Sequence, residues 1–314
     1  MIDHLLALDP GHRGIARFFV PGGAAAAARA LLQARRVLIT TGFALGPGLP
    51  ETDGPPGAAA LGRALRVLGK EVGYVTDPAT VPLLEAALGA LGEPTGVIAF
   101  ASAGDAAAAE AEREARRVLA AARPTHLVAI ERPGRTRDGD YRSARAESVR
   151  PWNGPLDTLF LVAPRRVVTV GVGDGGNEIG MGNVRARLVR AGGLLPAVAS
   201  VVRVHHLVVA GTSNWGAYGV VAELSRATGR SLLHSGPEEE AMVEACVQAG
   251  AVDGITRRRE PTVDGLPLAA HLGMLELLRL GARSRDGTPR SRPPAPRAGR
   301  AASPTPRGKR GSPR

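Results

Sequence analysis

Residues 169–184 read TVGVGDGGNEIGMGNV. Six glycines, one Asp, one Glu and two Asn share these sixteen positions. The apolar run Val167–Val170 leads into them, and a stretch rich in Arg and Leu, of helical character, leads out. A β-branched run, a glycine-rich turn and a helix former in that order read as a strand that hands over to a helix through a ligand-facing loop. Three kinds of site are built this way: a dinucleotide loop, a carboxylate cage for a metal, and a pocket for a small polar acid.

The same alternation repeats on both sides of this stretch. RVLIT (36–40), EVGYVT (71–76), GVIAF (96–100), HLVAI (126–130), RVVTV (166–170) and HHLVVA (205–210) read as buried strands. Between them GGAAAAARALLQA, PGAAALGRALRVLG, VPLLEAALGALG, DAAAAEAEREARRVLAAA, NVRARLVRAGG and NWGAYGVVAELSRATG read as helices, and GPEEEAMVEACVQAG and VDGLPLAAHLGMLELLRLG add two more. Such alternation implies right-handed crossovers and an α/β fold: a doubly wound, mainly parallel sheet with helices on both faces. Residues 1–282 are expected to form one domain, and the Pro/Arg/Ser-rich residues 283–314 a disordered basic tail.

Charge supports that division. The chain of 314 residues carries a formal charge of +11, but in residues 283–314 ten Lys or Arg face one acid, Asp286. The remaining 282 residues hold 30 bases and 28 acids. The body is nearly neutral, so the basic balance does not mark a nucleic-acid partner for it. The tail has no aromatic and no aliphatic residue larger than Ala, so it cannot offset its ordering entropy; a weak electrostatic arm toward nucleic acid is the secondary reading. Aromatics at 3% are too sparse for a single-strand stacking platform. Cys246 is the one cysteine, which excludes a disulfide framework and a cysteine-based zinc site. Met1–Gly11 has two acids and no basic leader, and the apolar run Gly193–Gly211 is broken by Arg203, His205 and His206. A cytoplasmic protein with no membrane partner is expected; the sequence leaves the oligomeric state open.

In doubly wound sheets ligands bind outside the carboxyl ends of the strands. After the first strand stand Thr41 and Gly42 and a long loop ending in Glu51, Asp53 and Gly54, where Asp53 either caps the next helix or lines a site. After the second is Asp77-Pro78, which reads as turn chemistry. After the fourth, Glu131 and Arg132 form either a loop-holding ion pair or, through the arginine fork, an anion clamp. After the fifth come Gly173, Asp174, Gly175, Asn177, Glu178 and Asn183, and after the sixth Asn214, with Trp215 a core anchor or a pocket wall. His205 and His206 lack ligand spacing and read as structural. Gly171-x-Gly173-x-x-Gly176 formally fits the dinucleotide fingerprint, but no acid lies between Glu178 and Glu223 to hold a ribose, so no NAD is expected.

GDGGNE is also similar to the GDGxND loop of haloacid-dehalogenase-type phosphatases, which need in addition a nucleophilic Asp directly after the first strand; ETDG (51–54) lies well beyond it. Taken together in this order, TTGF, ETDGPPGAAALGRAL, VTD, IERPGR, DGDY, PLDTLF, GVGDGGNEIGMGNV, VVAGTSNWGAYG and GAVDGIT closely resemble the D-glutamate cyclase family, in its C-terminal-type domain. The resemblance runs from about Asp9 and Arg13-Gly14-Ile15 to about Leu280. Larger animal members are mitochondrial and carry an additional N-terminal domain. One departure follows DGDY: a Y-x-x-M-x-G-like run is expected there, and Ala144 and Ala146 take the Met and Gly places.

The resemblance implies conversion of D-glutamate to 5-oxo-D-proline with loss of water. The α-amine must lose a proton, the γ-carboxylate must be neutralised, and the chain must fold back on itself. Asp174 and Glu178 are the expected acid and base; alternatively both hold a divalent cation, magnesium or manganese, that polarises the γ-carboxyl group. Asn177 and the N–H groups of the glycine-rich turn are expected to stabilise the oxyanion. Arg132 is the expected partner of the α-carboxylate, and Glu131, Asp53 and Asn214 of the ammonium or its support. Thr41, Gly42, Gly54, Gly173, Gly175 and Asn183 are expected to line the pocket. The alternatives are a magnesium-dependent phosphatase and a non-catalytic amino-acid-binding protein.

Overall fold

Every apolar run read as a strand pairs into one sheet in a computed structural model, which describes residues 1–101 and 107–283. The expected disorder of the tail lies outside the described residues, apart from Arg283. The strands are β1 (Arg36–Thr41), β2 (Glu71–Thr76), β3 (Val97–Ala99), β4 (His126–Ile130), β5 (Val168–Gly173) and β6 (His206–Val209). Their order is β3-β2-β1-β4-β5-β6, with every neighbouring pair parallel. β5 runs three residues further than its apolar run suggests, so the first glycines of the opening stretch belong to the strand. Gly171 is required there: a Cβ would fall 2.4 Å from the Ile179 carbonyl oxygen, where the loop folds back over the strand.

The helices are α1 (Ile2–Leu6), α2 (Gly23–Leu32), α3 (Pro55–Val67), α4 (Val81–Ala90), α5 (Ala108–Ala122), α6 (Thr158–Val162), α7 (Arg185–Ala191), α8 (Leu195–Val198), α9 (Ser213–Thr228), α10 (Gly236–Gln248) and α11 (Leu268–Ala282). Successive strand side chains point to opposite faces. Val37 and Ile39 of β1, with Val128, Ile130, Val170, Val172 and Val208, pack under α2, α3 and α9. Leu38, Val75, Leu127 and Ala129 pack against α5 and α6 on the other face. Strands buried on both sides explain why these runs are continuously apolar rather than alternating. A short hairpin, β7 (Thr262–Val263) and β8 (Leu266–Pro267), turns through Asp264-Gly265 with both φ angles positive, 54° and 74°. That is the Asp-Gly turn chemistry of two-residue hairpins.

The order reverses between β1 and β4, the switch point beyond whose carboxyl ends doubly wound sheets place ligands. The loop after DGDY shows a cost of its sequence departure. Ala146 sits at φ 63° in a tight turn closed by the Ala146 N–H to the Ser143 carbonyl. Glycine adopts this conformation freely and alanine does not. Ala146→Gly is therefore expected to raise stability by about 0.5–1 kcal/mol, the left-handed relief less the added chain entropy. Denaturant midpoints check this; an unchanged or lower midpoint would mean that the turn bears no strain.

Candidate active site

The carboxyl ends of β1, β4 and β5 deliver acids to one point. Thr41 ends β1, Glu131 follows β4, and Asp174 follows β5. The loop after β1 adds Glu51 and Asp53, and the β7–β8 turn adds Asp264. Asp174 and Glu178 are fully buried, and Asp53, Glu131, Glu51 and Asp264 are at most 7% exposed. Facing these six acids is Arg13, whose guanidinium lies 3.0 Å from Asp174 and 2.7 Å from Asp264. Arg13 sits in a loop ahead of α2 that is shaped by Asp9, whose carboxylate accepts the N–H groups of Arg13, Gly14 and Ile15.

The acids differ in what already holds them. Glu178 accepts the N–H groups of Asp174, Gly175 and Gly176 at 2.9, 2.5 and 2.8 Å. It shapes the loop, and those N–H groups, expected to be free for an oxyanion, are taken. Gly173 and Gly175 make room for this fold: a Cβ on Gly173 would lie 2.8 Å from Glu178 Cδ, and one on Gly175 3.3 Å from Arg13 Nη2. Asp53 accepts the Ser213 and Asn214 N–H groups, both at 2.8 Å. It thus caps α9, not the helix that follows it in sequence. Asn214 returns the favour to α3, accepting the N–H groups of Gly54 and Gly57 at 3.0 and 2.8 Å. Glu131 accepts the Ser213 hydroxyl at 2.6 Å and holds a backbone φ of 42°, a left-handed conformation of the kind that strained functional positions adopt. Asp174 has no such support. Neither of its buried carboxylate oxygens has a hydrogen-bonding partner, although the Arg13 guanidinium stands beside it. The buried Thr41 hydroxyl is also without a partner.

Five expectations are corrected, for Arg132 as a clamp, its pairing with Glu131, Asp77, Asn177 and Asn183. Arg132 is not available to a substrate carboxylate: it is fully buried and donates to the Gly42 and Gly154 carbonyls at 2.9 and 2.7 Å and to the Asp77 carboxylate. Nor is it paired with Glu131, and Asp77 is more than turn chemistry, since it also accepts the Gly154 N–H at 2.6 Å. Gly42, at φ 101° against Thr80, serves this same clamp. Asn177 donates its side-chain amide to the Arg142 carbonyl, 2.7 Å away, rather than into the cluster. Asn183 is far from the cluster in role: its amide makes two bonds with the Val204 backbone, and it lines a cleft with Arg187, Arg203, His205 and His206 at the opposite end of β6. Reasoning from strand ends missed Arg13 and Asp264, which arrive from an N-terminal loop and a late hairpin. Asp253 sets that hairpin, accepting from Ile255, Thr256, Thr262 and Gly265.

Burial, reinforced by the neighbouring carboxylates, holds Asp174, Asp53, Glu131 and Glu51 well above the ordinary carboxylate range; at Asp174 the Arg13 charge opposes this. For Arg13 burial disfavours the charge, but Asp174 and Asp264 outweigh it and keep the guanidinium protonated. A proton bound more tightly in the folded chain stabilises it fully below the ordinary carboxylate pKa, and that stabilisation fades as pH rises through the raised value. Asp174→Asn makes one position permanently neutral. In chelator-containing buffer its melting temperature relative to wild type is therefore expected to climb from acid toward alkaline pH; a flat or falling difference would refute the raised value.

A cleft of about 300 Å³ opens beside the cluster, walled by Ala44, Asp77, Phe100, Trp152 and Gly154. It reaches the Arg132–Asp77 clamp, but none of its walls belongs to the six acids. Of the central residues Arg13 is the one with its side chain most exposed, at 15%. No described helix is long and apolar enough to cross a membrane. β1 ends in Thr41 and is followed by Gly42 and Phe43, so the nucleophilic Asp of the phosphatase pattern is not in its place.

A family model described as D-glutamate cyclase-like, C-terminal, matches residues 2–279. The mitochondrial D-glutamate cyclase of Homo sapiens is 35% identical over 315 residues, covering 88% of this chain and 50% of the human protein. The chain therefore spans about half the length of that relative. An exopolyphosphatase-related protein from Bacteroides fragilis aligns in structure with a TM-score of 0.41 at 10% identity, over 85% of this chain and 58% of that one. With nearly all of the described body matched, the chain belongs to the D-glutamate cyclase-like, C-terminal family.

Proposed function

We propose that the chain is a lyase that closes D-glutamate into 5-oxo-D-proline with loss of water. The observation that carries this reading is Asp174: a fully buried acid without hydrogen-bond partners, beside a partly exposed arginine, at the carboxyl end of β5. The family supplies the substrate class. In the reaction the amine nitrogen bonds to the γ-carbon, one γ-oxygen departs as water, and the two protons released by the ammonium end on that oxygen. No net proton is gained or lost, so the site has to carry protons rather than consume them.

The residues suit that task. Arg13 takes a substrate carboxylate in exchange for its present partners. Acids with raised pKa values accept a proton from the ammonium and return it to the leaving oxygen, and Asp174 and Glu131 are the two placed to do so. Glu178 keeps the loop rigid, and Asp53 and Asn214 lock α3 and α9 around the site. Cytoplasmic location belongs to the same proposal. Incubating the purified chain with D- and L-glutamate and following oxoproline by chiral chromatography tests it. Formation of the D-product supports the reading. Binding of glutamate without product would favour an amino-acid-binding protein, and turnover of phosphate esters in magnesium instead would favour a phosphatase.

A further inference from the structure

We propose that the cleft at the amino end of β6 binds the phosphoryl group of a small molecule through Arg187, Arg203, His205 and His206. The cleft measures about 340 Å³, within the range of small-molecule sites. It lies at the end of β6 opposite the acid cluster, so it is a second site and not an annex of the first. Arg187 comes from α7, Arg203 and His205 from the loop ahead of β6, and His206 from the first position of the strand. No Asp or Glu of the described residues lines it.

The four basic side chains have donors to spare. Among the described residues, the side chains of Arg203 and His206 have no hydrogen bond and no ion pair. Arg187 gives one N–H to the Phe19 carbonyl at 2.9 Å, which leaves the rest of its fork open. At His205 the Thr169 backbone N–H donates to Nδ1 at 3.1 Å. A backbone N–H can only donate, so the neutral ring carries its proton on Nε2 and is a donor there. Burial, then the charges of His205 and Arg29, hold His206 below the ordinary histidine range. Basic groups are thus crowded together without an acid, and an anion would relieve them.

The same lining selects the anion. The amide of Asn183 is closed by its bonds to the Val204 backbone, so the free side-chain groups of the cleft are donors. A phosphoryl group offers three acceptor oxygens and about two negative charges, and the arginine fork matches its geometry. Val184 and Leu207, each 3% exposed, supply apolar wall for the remainder of a phosphate ester. The first turn of α2 also borders the cleft, but Asp3 accepts the Gly22 N–H at 2.5 Å. The side chains, not the helix end, therefore carry the site. A nucleic-acid strand fits less well, because the 282-residue body holds 30 bases against 28 acids.

This site does not rest on the cyclase reading, and its test uses no glutamate. The full chain is titrated calorimetrically with inorganic phosphate and with phenyl phosphate. Wild type is expected to bind at least one of them saturably, with a dissociation constant below about 1 mM. Tighter binding of phenyl phosphate would assign the site to an ester, and tighter binding of inorganic phosphate to the free anion; either supports it. Arg203→Gln and His206→Gln should each weaken binding about fivefold or more. Ala26→Glu places a carboxylate on the cleft wall and should abolish binding. That loss is separable from misfolding, because an acid near the start of a helix favours the helix and the melting temperature should hold. Arg13→Ala should bind as wild type does, since Arg13 belongs to the acid cluster. No saturable binding by wild type, or unchanged affinity in all three cleft variants, would overturn the site. So would binding lost in Arg13→Ala and kept in the cleft variants, which would place the anion at the acid cluster. Binding that vanishes in about 150 mM chloride would reduce the cleft to screened surface charge and also overturn it. Tight binding of a single-stranded oligonucleotide with none of phenyl phosphate or inorganic phosphate would replace the small ligand with a nucleic acid.

Discussion

Asp174→Asn is expected to lower turnover of D-glutamate by at least about 10², while the melting temperature near neutral pH moves little. The two halves of that expectation have separate reasons. The amide has the shape of the acid, and the carboxylate it replaces makes no hydrogen bond that folding depends on. Its ion pair with Arg13 is lost, but Arg13 keeps Asp264. The amide cannot accept the ammonium's proton, and it is a poorer ligand for a cation, so both chemical uses of the position disappear together. Glu178→Gln makes the informative contrast. Its carboxylate receives three backbone N–H groups, and an amide offers one acceptor oxygen for them. Stability and turnover should fall together there. Wild-type-like turnover in Asp174→Asn would remove the acid from the mechanism, whatever the stability shows.

That contrast was not legible in the sequence, where Asp174 and Glu178 look like a matched pair four residues apart. The framework was legible. Continuous β-branched runs mark strands buried on both faces, and β1, β2 and β4 fall within a residue of their apolar runs. The carboxyl-end rule then placed Thr41, Asp53, Glu131, Asp174 and Glu178 in one region, because strand ends converge whatever their separation along the chain. The rule is blind to residues that come from elsewhere. Arg13 precedes the first strand, and Asp264 reaches the cluster on a hairpin whose Val-Asp-Gly-Leu residues read in the sequence as the start of the last helix, which begins only at Leu268. The rule also cannot tell a side chain that faces the ligand from one that holds the loop. Asp53 caps α9 and Asn214 caps α3, at separations of 157 to 161 residues, and nothing in the local sequence of either shows the partner.

Arg132 is where this blindness has the largest energetic consequence. Arg132→Met is expected to destabilise the fold by about 3–5 kcal/mol, the cost of leaving a buried charge without its partner. Asp77 would keep one N–H bond, from Gly154, and lose its cation, and the Gly42 and Gly154 carbonyls would lose their donors. For a domain whose total stability is of order 5–15 kcal/mol, that loss moves the urea midpoint far toward water. Arg132→Lys should recover only part of it, since a single ammonium cannot span three acceptors set by a planar fork. Arg13→Met should behave in the opposite way. Its partner Asp174 holds a proton readily, so the fold should be little affected, while KM for glutamate rises as the substrate carboxylate loses its cation. Equilibrium unfolding and steady-state kinetics on the two methionine variants separate the roles. If instead Arg132→Met kept its stability and raised KM, Arg132 would be the substrate clamp that its place after β4 first suggested, and the clamp on Asp77 would be incidental.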